Sequence, residues 1–355
     1  MIKILMVGPG PGSPGGVRTV AENYIESYSD RNDISFDYVE IGTRGSMALR
    51  CVYFAAGLVK CFLKLLINNY DVCHIHMSDK GSVFRSGIVV LLARALGNRT
   101  LTHMHAGNLM LWYNGLSKAK QYIVARFLNA SDKFVVLGDI WAKEVECIVS
   151  KEKIVVLHNG VKVPSSFQYQ RKEPLTLLYL GVIKKQKGLR ELIRAMSELD
   201  SVLSPEVKLL IAGAEFDMNI RAEIEKWDIS RRVKYVGWAD AEKKTALFER
   251  SSINVFPSYY EGLPMSLLET MAVGIPNIVT NVGAIGEVVS SGINGLFIEP
   301  KDVESLKRAI VQLCSSEDEI KEMSLQSYVT IKEHFSLEKQ IEETILLYRG
   351  LIAGE

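Results

Sequence analysis

Lys133-Phe134-Val135-Val136-Leu137 sets four apolar side chains in succession behind a charged one. A strand with one wet face alternates apolar and polar residues, so an unbroken run reads as a strand buried on both faces, as in a parallel sheet covered by helices on either side. Five further Val- and Ile-rich runs accompany it: Ile2–Val7, Ile34–Ile41, Val72–Met77, Thr100–His105 and Ile154–Leu157. The stretches between them carry apolar residues at helical spacing, which predicts a doubly wound βαβ sheet. A polar stretch bracketed by proline, Val163 to Pro174, then reads as an interdomain linker. The alternation restarts with Leu175–Gly181, Val207–Gly213, Val233–Gly237, Ile253–Phe256, Asn277–Thr280 and Leu296–Ile298. No Gly or Pro interrupts Val303 to Leu347, so the tail reads as two or three consecutive helices. The expected division is a first α/β domain over 1–165, a second over 166–335, and a terminal helical segment, 336–355, packing back on the first.

The 355 residues exceed what one hydrophobic core organises, which agrees with two domains. With 48% hydrophobic and 23% charged residues, the composition excludes disordered, collagenous and disulfide-scaffold classes. The net charge of +1 divides into +6 for residues 1–165 and −5 for the remainder. A basic first half points to an anionic partner there. Five cysteines, none in a C-x-x-C pair, read as reduced thiols and not as a zinc ribbon. The six strand-like residues before the first Gly are too few for a signal-peptide apolar region, so the expectation is a cytoplasmic protein. Every uncharged run is short or broken by Gly and Pro, and none is expected to span a bilayer.

Four sequence features bear on chemistry. The turn Gly8-Pro9-Gly10-Pro11-Gly12-Ser13-Pro14-Gly15-Gly16 occupies the place of a phosphate loop. Its three prolines remove N–H donors and argue against a nicotinamide or flavin site, while Gly15 and Gly16 at a helix start suit close approach to an anion. His74 with His76, and His103 with His105, stand at alternate positions of two strands and so on one face of each. They read as core, as cleft-lining groups with His105 meeting substrate, or as a zinc site for which one member of each pair would have to leave the sheet face. Phe256-Pro257-Ser258-Tyr259-Tyr260-Glu261-Gly262-Leu263-Pro264-Met265-Ser266-Leu267-Leu268-Glu269 places two carboxylates eight residues apart. Taken as one helix, they share a side about 12 Å apart, with first-turn amides free for a phosphate. Gly181-Val182-Ile183-Lys184-Lys185-Gln186-Lys187-Gly188 ends the first strand of the second domain, and Lys187 there brings a cation to a diphosphate.

These motifs, with Met271-Ala272-Val273-Gly274-Ile275-Pro276, Val282-Gly283-Ala284-Ile285-Gly286-Glu287-Val288, Gly292-Ile293-Asn294-Gly295 and Asn159-Gly160-Val161, resemble the retaining glycosyltransferases of family 4 with their E-x7-E motif. The resemblance runs in order through the whole chain and is specific in the second half. It implies a GT-B fold: two Rossmann-like domains whose parallel sheets face a central cleft, the acceptor on the first and the nucleotide sugar on the second, with no essential metal and no cofactor besides the UDP- or GDP-linked donor. By the same resemblance Glu261 contacts the transferred sugar, Glu269 holds the ribose, Lys187 binds the diphosphate, Gly15 and Gly16 lie near the phosphates, and His105 lies near the reacting sugar. Gly262 and Leu263 open the phosphate-binding helix. One departure is Val182, where the family usually has Arg, which leaves Lys184 or Lys185 to supply the missing cation. Lys162 and Thr270 stand where many members carry Asp and Ala.

The expected activity is therefore transfer of a sugar to a hydroxyl of a lipid-linked or oligosaccharide acceptor in surface polysaccharide or glycolipid assembly, with no nucleic-acid partner. A nucleotide-sugar epimerase and a catalytically silent nucleotide-sugar-binding protein are the alternatives. The apolar segment Arg50 to Leu66, with Lys60 and Lys64 one turn apart, reads either as a core helix with a basic edge or as a helix lying on an anionic membrane surface at the inner face of the plasma membrane. Leu109-Met110-Leu111-Trp112-Tyr113 stands as a second acceptor-loop candidate.

Overall fold

A computed structural model describes residues 1–10, 15–43 and 45–354. The chain folds as two compact units, 1–160 with 337–355, and 161–336. The first unit runs β1 (Ile2–Pro9), α1 (Gly16–Ser29), β2 (Ile34–Gly42), α2 (Met47–Ile67), β3 (Val72–Met77), α3 (Gly81–Ala95), β4 (Arg99–Met104), α4 (Leu109–Asn114), α5 (Lys118–Ala130), β5 (Lys133–Val136), α6 (Asp139–Val145) and β6 (Ile154–Val156). The second runs β7 (Thr176–Leu180), α7 (Leu189–Glu198), β8 (Lys208–Ala212), α8 (Ile220–Lys226), β9 (Val233–Gly237), α9 (Ala241–Arg250), β10 (Ile253–Phe256), α10 (Met265–Ala272), β11 (Asn277–Thr280), β12 (Gly295–Ile298), α11 (Val303–Ser315) and α12 (Glu317–His334). α13 (Leu337–Ala353) returns to the first unit, against α1 and β3.

Each unit holds one six-stranded sheet, ordered β2-β1-β3-β4-β5-β6 and β12-β11-β10-β7-β8-β9, and every pairing is parallel. The apolar runs explain this: β3, β7, β10 and β11 are buried at every position, so helices must cover both faces. In the second sheet the chain leaves β7 through β8 to β9 and then resumes on the other side of β7 with β10. The reversal between β7 and β10 is the place where an open α/β sheet leaves a crevice at its strand C-termini.

α10 corrects one expectation. Glu261 does not share a helix with Glu269, because α10 begins at Met265 with Pro264 as its N-cap. Proline drives the preceding residue out of the α region, so Leu263 cannot be helical and Glu261 lies in the loop between β10 and α10. The two-turn spacing inferred for the carboxylates does not apply.

Residues 164–174, read from the sequence as an interdomain linker, lie within the second unit. Phe167 stacks on Tyr328 with ring centroids 5.1 Å apart, and Lys172 Nζ donates to the carbonyls of Phe248 and Ser251 at 2.6 and 2.8 Å. In the first unit α2 touches β2 through Gly57, where a Cβ would stand 2.4 Å from the Glu40 carbonyl oxygen. Only Gly57, Cys61 and Leu65 of its 21 residues are buried.

Candidate active site

The loops after β7 and β10 meet beside the switch point of the second sheet. The Tyr259 N–H donates to the Gln186 carbonyl at 2.9 Å, which fastens one loop to the other. Gly188 lets them approach: its φ is +69°, and a Cβ there would stand 2.0 Å from the Pro257 carbonyl oxygen. The Thr280 hydroxyl donates to the Ser258 carbonyl, and the Ala284 N–H to that of Gly262 at 3.0 Å, anchoring the second loop to the segment after β11.

This scaffold brings Lys187 Nζ against Glu261 Oε1, with the Glu261 side chain 8% and the Lys187 side chain 19% exposed. The ammonium also lies 5.5 Å from the centroid of the Phe256 ring. Gly262 and Leu263 follow Glu261 and lead into the N-terminus of α10, whose first-turn amides and dipole favour an anion. Glu269, on α10, accepts from Lys244 Nζ of α9 at 2.7 and 2.9 Å. Lys184 turns elsewhere, with its Nζ 4.4 Å from the Phe216 ring centroid. Lys185 is exposed, and its backbone N–H donates to Asp217 Oδ1 at 2.8 Å. The Ser258 hydroxyl and one Glu191 carboxylate oxygen are buried without a hydrogen-bond partner among the described residues. Tyr259, hydrogen-bonded to Glu191, is raised above the ordinary phenol range by burial and by that carboxylate.

In the first unit Gly15 is the N-cap of α1 and Gly16 its first residue. Pro11, Gly12, Ser13 and Pro14 of the same turn lie outside the described residues. Sequence reasoning passed over Arg18, one turn into α1, whose guanidinium donates to the Pro9 carbonyl at 3.0 Å and pairs with Glu22 and Glu40 at 2.8 and 3.5 Å. Its i+4 partner Glu22 was the one legible signal.

His74, His76, His103 and His105 stand on one face of β3 and the end of β4, with near-parallel rings inclined by 14–29°. His74 Nδ1 meets the Tyr348 hydroxyl of α13 at 2.6 Å, and His74 Nε2 meets His103 Nδ1 at 3.3 Å. His76 Nδ1 meets His105 Nε2 at 2.8 Å, and His76 Nε2 lies 3.2 Å from Met6 Sδ. One nitrogen each of His74, His76 and His103 lies within 4.8 Å of the others. Ring lone pairs lie in the ring planes, so parallel plates do not aim three of them at one point, and tetrahedral coordination would require the rings to turn. Burial holds all four imidazoles well below their usual range, His76 down to about 3, and the neighbouring rings add to this for the other three. Of the four, His74 is the one that meets α13, through Tyr348, and His105 sits at the strand end, half-buried.

Residues 164–329 match the family model of the group 1 glycosyl transferases. Glycogen synthase of Mycobacterium tuberculosis is 28% identical over 218 residues, covering 59% of this chain and 52% of its own length. The chain thus spans about half of that curated relative. Sucrose-phosphate synthase from Thermosynechococcus elongatus superimposes over 100% of both chains at a TM-score of 0.81 and 18% identity. Anabaena HepE, solved in complex with UDP-glucose, covers 97% of this chain and 99% of its own at 0.76 and 16%. The fold is GT-B, with two Rossmann-like units in one chain.

Proposed function

We propose that the protein is a retaining glycosyltransferase that moves a sugar from a UDP- or GDP-linked donor to a hydroxyl acceptor without a metal ion. The meeting of Lys187, Glu261 and the N-terminus of α10 at the switch point of the second sheet carries this reading. The match to group 1 glycosyl transferases and the UDP-glucose complex of a structure with this fold support it.

The C–O bond between the sugar and the β-phosphate breaks with its electron pair passing to the phosphate oxygen. The α10 amides, fixed in advance, stabilise that charge together with Lys187 once it has turned from Glu261 to the phosphate. The acceptor hydroxyl bonds to the anomeric carbon on the face the phosphate leaves, and its proton passes to the departing phosphate. Glu261 orients the sugar, Glu269 takes the ribose hydroxyls, and Lys187 exchanges its carboxylate partner for phosphate oxygens.

In a thermal-shift series at millimolar ligand, UDP or GDP should raise the melting temperature by mass action, and the matching nucleotide sugar with an acceptor extract should yield free nucleotide and a glycosylated product of unchanged anomeric configuration. A donor altered with no acceptor present would identify an epimerase. Binding with no nucleotide released would leave a silent binding protein.

One reading of the acceptor class is supported by α2. Met47, Leu49, Val52, Val59, Phe62, Leu63, Leu66 and Ile67 are all exposed on this helix, as are Ile88 and Leu91 of the neighbouring α3. Lys60 on the same helix, and Lys118 and Lys120 of α5, are exposed as well. Exposed apolar side chains on α2 and α3, with exposed lysines on α2 and α5, fit the headgroup boundary of an anionic bilayer. No described helix is long and apolar enough to cross one. This supports a lipid-linked acceptor, in surface polysaccharide or glycolipid assembly, met at a membrane surface. The protein should co-sediment with vesicles containing anionic lipid, less with neutral ones, and be released by salt. Charge reversal of Lys60, Lys118 and Lys120 should abolish sedimentation and leave donor hydrolysis intact. Equal recovery in the supernatant with both vesicle types at low salt would remove the membrane reading.

A further inference from the structure

We propose that Lys244 is the positioning residue that sets donor affinity by orienting Glu269, an inference that rests on Glu269 being the ribose acceptor. Lys244 straddles the carboxylate, its Nζ 2.7 Å from Oε1 and 2.9 Å from Oε2. The terminal torsion of a glutamate is broad, so an unheld carboxylate samples many planes. A single cation on both oxygens removes that freedom. Each oxygen has two lone pairs and gives one to the ammonium, which leaves one on each for the two hydroxyls of a ribose.

The pair differs from an ordinary surface contact. Its side chains are 25% and 17% exposed, and both come from helices fixed in place. Lys244 lies three residues before Leu247, the buried residue of α9, so it stands on the side of the helix that meets the core. Its neighbour Lys243 donates through Nζ to the Val236 carbonyl and through its backbone to the Asp240 side chain at 2.9 Å, which pins the first turn of α9 to the end of β9. The lysine is thus held from behind while it holds the carboxylate. Among the described residues Lys244 Nζ donates to Glu269 alone, so the carboxylate is neutralised while acceptor capacity stays open.

The test compares a nucleoside diphosphate, UDP or GDP as the wild type selects, with its 2′,3′-dideoxy counterpart by calorimetry. Lys244→Met should weaken the ribonucleotide about tenfold and leave the dideoxy ligand unchanged, and Lys244→Arg should restore most of the difference. In turnover the donor KM should rise by about the same factor while kcat stays within about twofold. Equal weakening of both ligands, or of neither, would overturn the proposal. A wild type that binds both ligands alike would remove the ribose role of Glu269 itself. Discrimination that is lost in Glu269→Gln but kept in Lys244→Met would remove only the role of Lys244.

Discussion

Lys187→Met and Glu261→Gln are each expected to lower the transfer rate at least about a hundredfold at saturating donor, the usual cost of deleting one group aimed at developing charge. Both side chains are largely buried, at 19% and 8% exposure, and each is the other's partner. Breaking such a pair also strands a charge, at a cost of up to about 3–5 kcal/mol where burial is deep. Rate loss must therefore be separated from unfolding. The double variant Lys187→Met, Glu261→Gln provides the separation: it leaves no stranded ion, so its melting temperature should recover toward wild type while its turnover stays collapsed. A double variant that regains activity along with stability would make the pair a structural clasp. Wild-type rates in either single variant would remove both residues from the chemistry.

Such a prediction can be aimed because the site lies where apolar pattern and turn chemistry agree. The twelve strands described all overlap runs read from the sequence; for β5 and β7 the reason is that a strand buried on both faces carries an almost unbroken apolar run, whereas β2 and β9 are partly exposed and interleave polar residues. Lys187 and Glu261 were legible for the same reason, each standing a few residues past such a run. The geometry between the carboxylates was not. It depended on one residue, Pro264, which reads equally as the first residue of a helix and as the residue before it. Lys244 was illegible on different grounds: it sits in the charged run Glu242-Lys243-Lys244, which looks like a solvated helix face, and its partner is 25 residues away on another helix. The apolar stretch of α2 allowed two readings, and the sequence could not show which side turns inward: that depends on the close contact at Gly57, which sets three residues inward and leaves most of the others outside.

The first unit should lose stability between neutral pH and about pH 5, well before the carboxylates of either unit titrate. His74, His76, His103 and His105 all have folded pKa values below their unfolded value of about 6.5, with desolvation as the first cause. A base whose pKa is depressed on folding binds its proton in the unfolded chain first. The stability is therefore fully present above about pH 6.5 and falls as pH drops through that value. Each such imidazole contributes a slope of up to about 1.4 kcal/mol per pH unit below 6.5, so the four together approach about 5 kcal/mol per unit against a typical total of about 5–15. The depressed carboxylates, Asp37 held by Lys64 and Tyr70 among them, act in the opposite protonation range, below about pH 4. Urea midpoints at pH 7, 6 and 5, read by hydrogen exchange over β3 and β4 against β7 and β10, should fall steeply for the first pair and hardly for the second. The proton uptake on unfolding at pH 5.5 should approach four, and His76→Phe should reduce it by one. A first-unit midpoint that stays level from pH 7 to 5 would mean that the imidazoles are hydrated or charged in the fold, and that the hydrogen bond between His74 Nδ1 and the Tyr348 hydroxyl does not anchor α13 as a neutral pair.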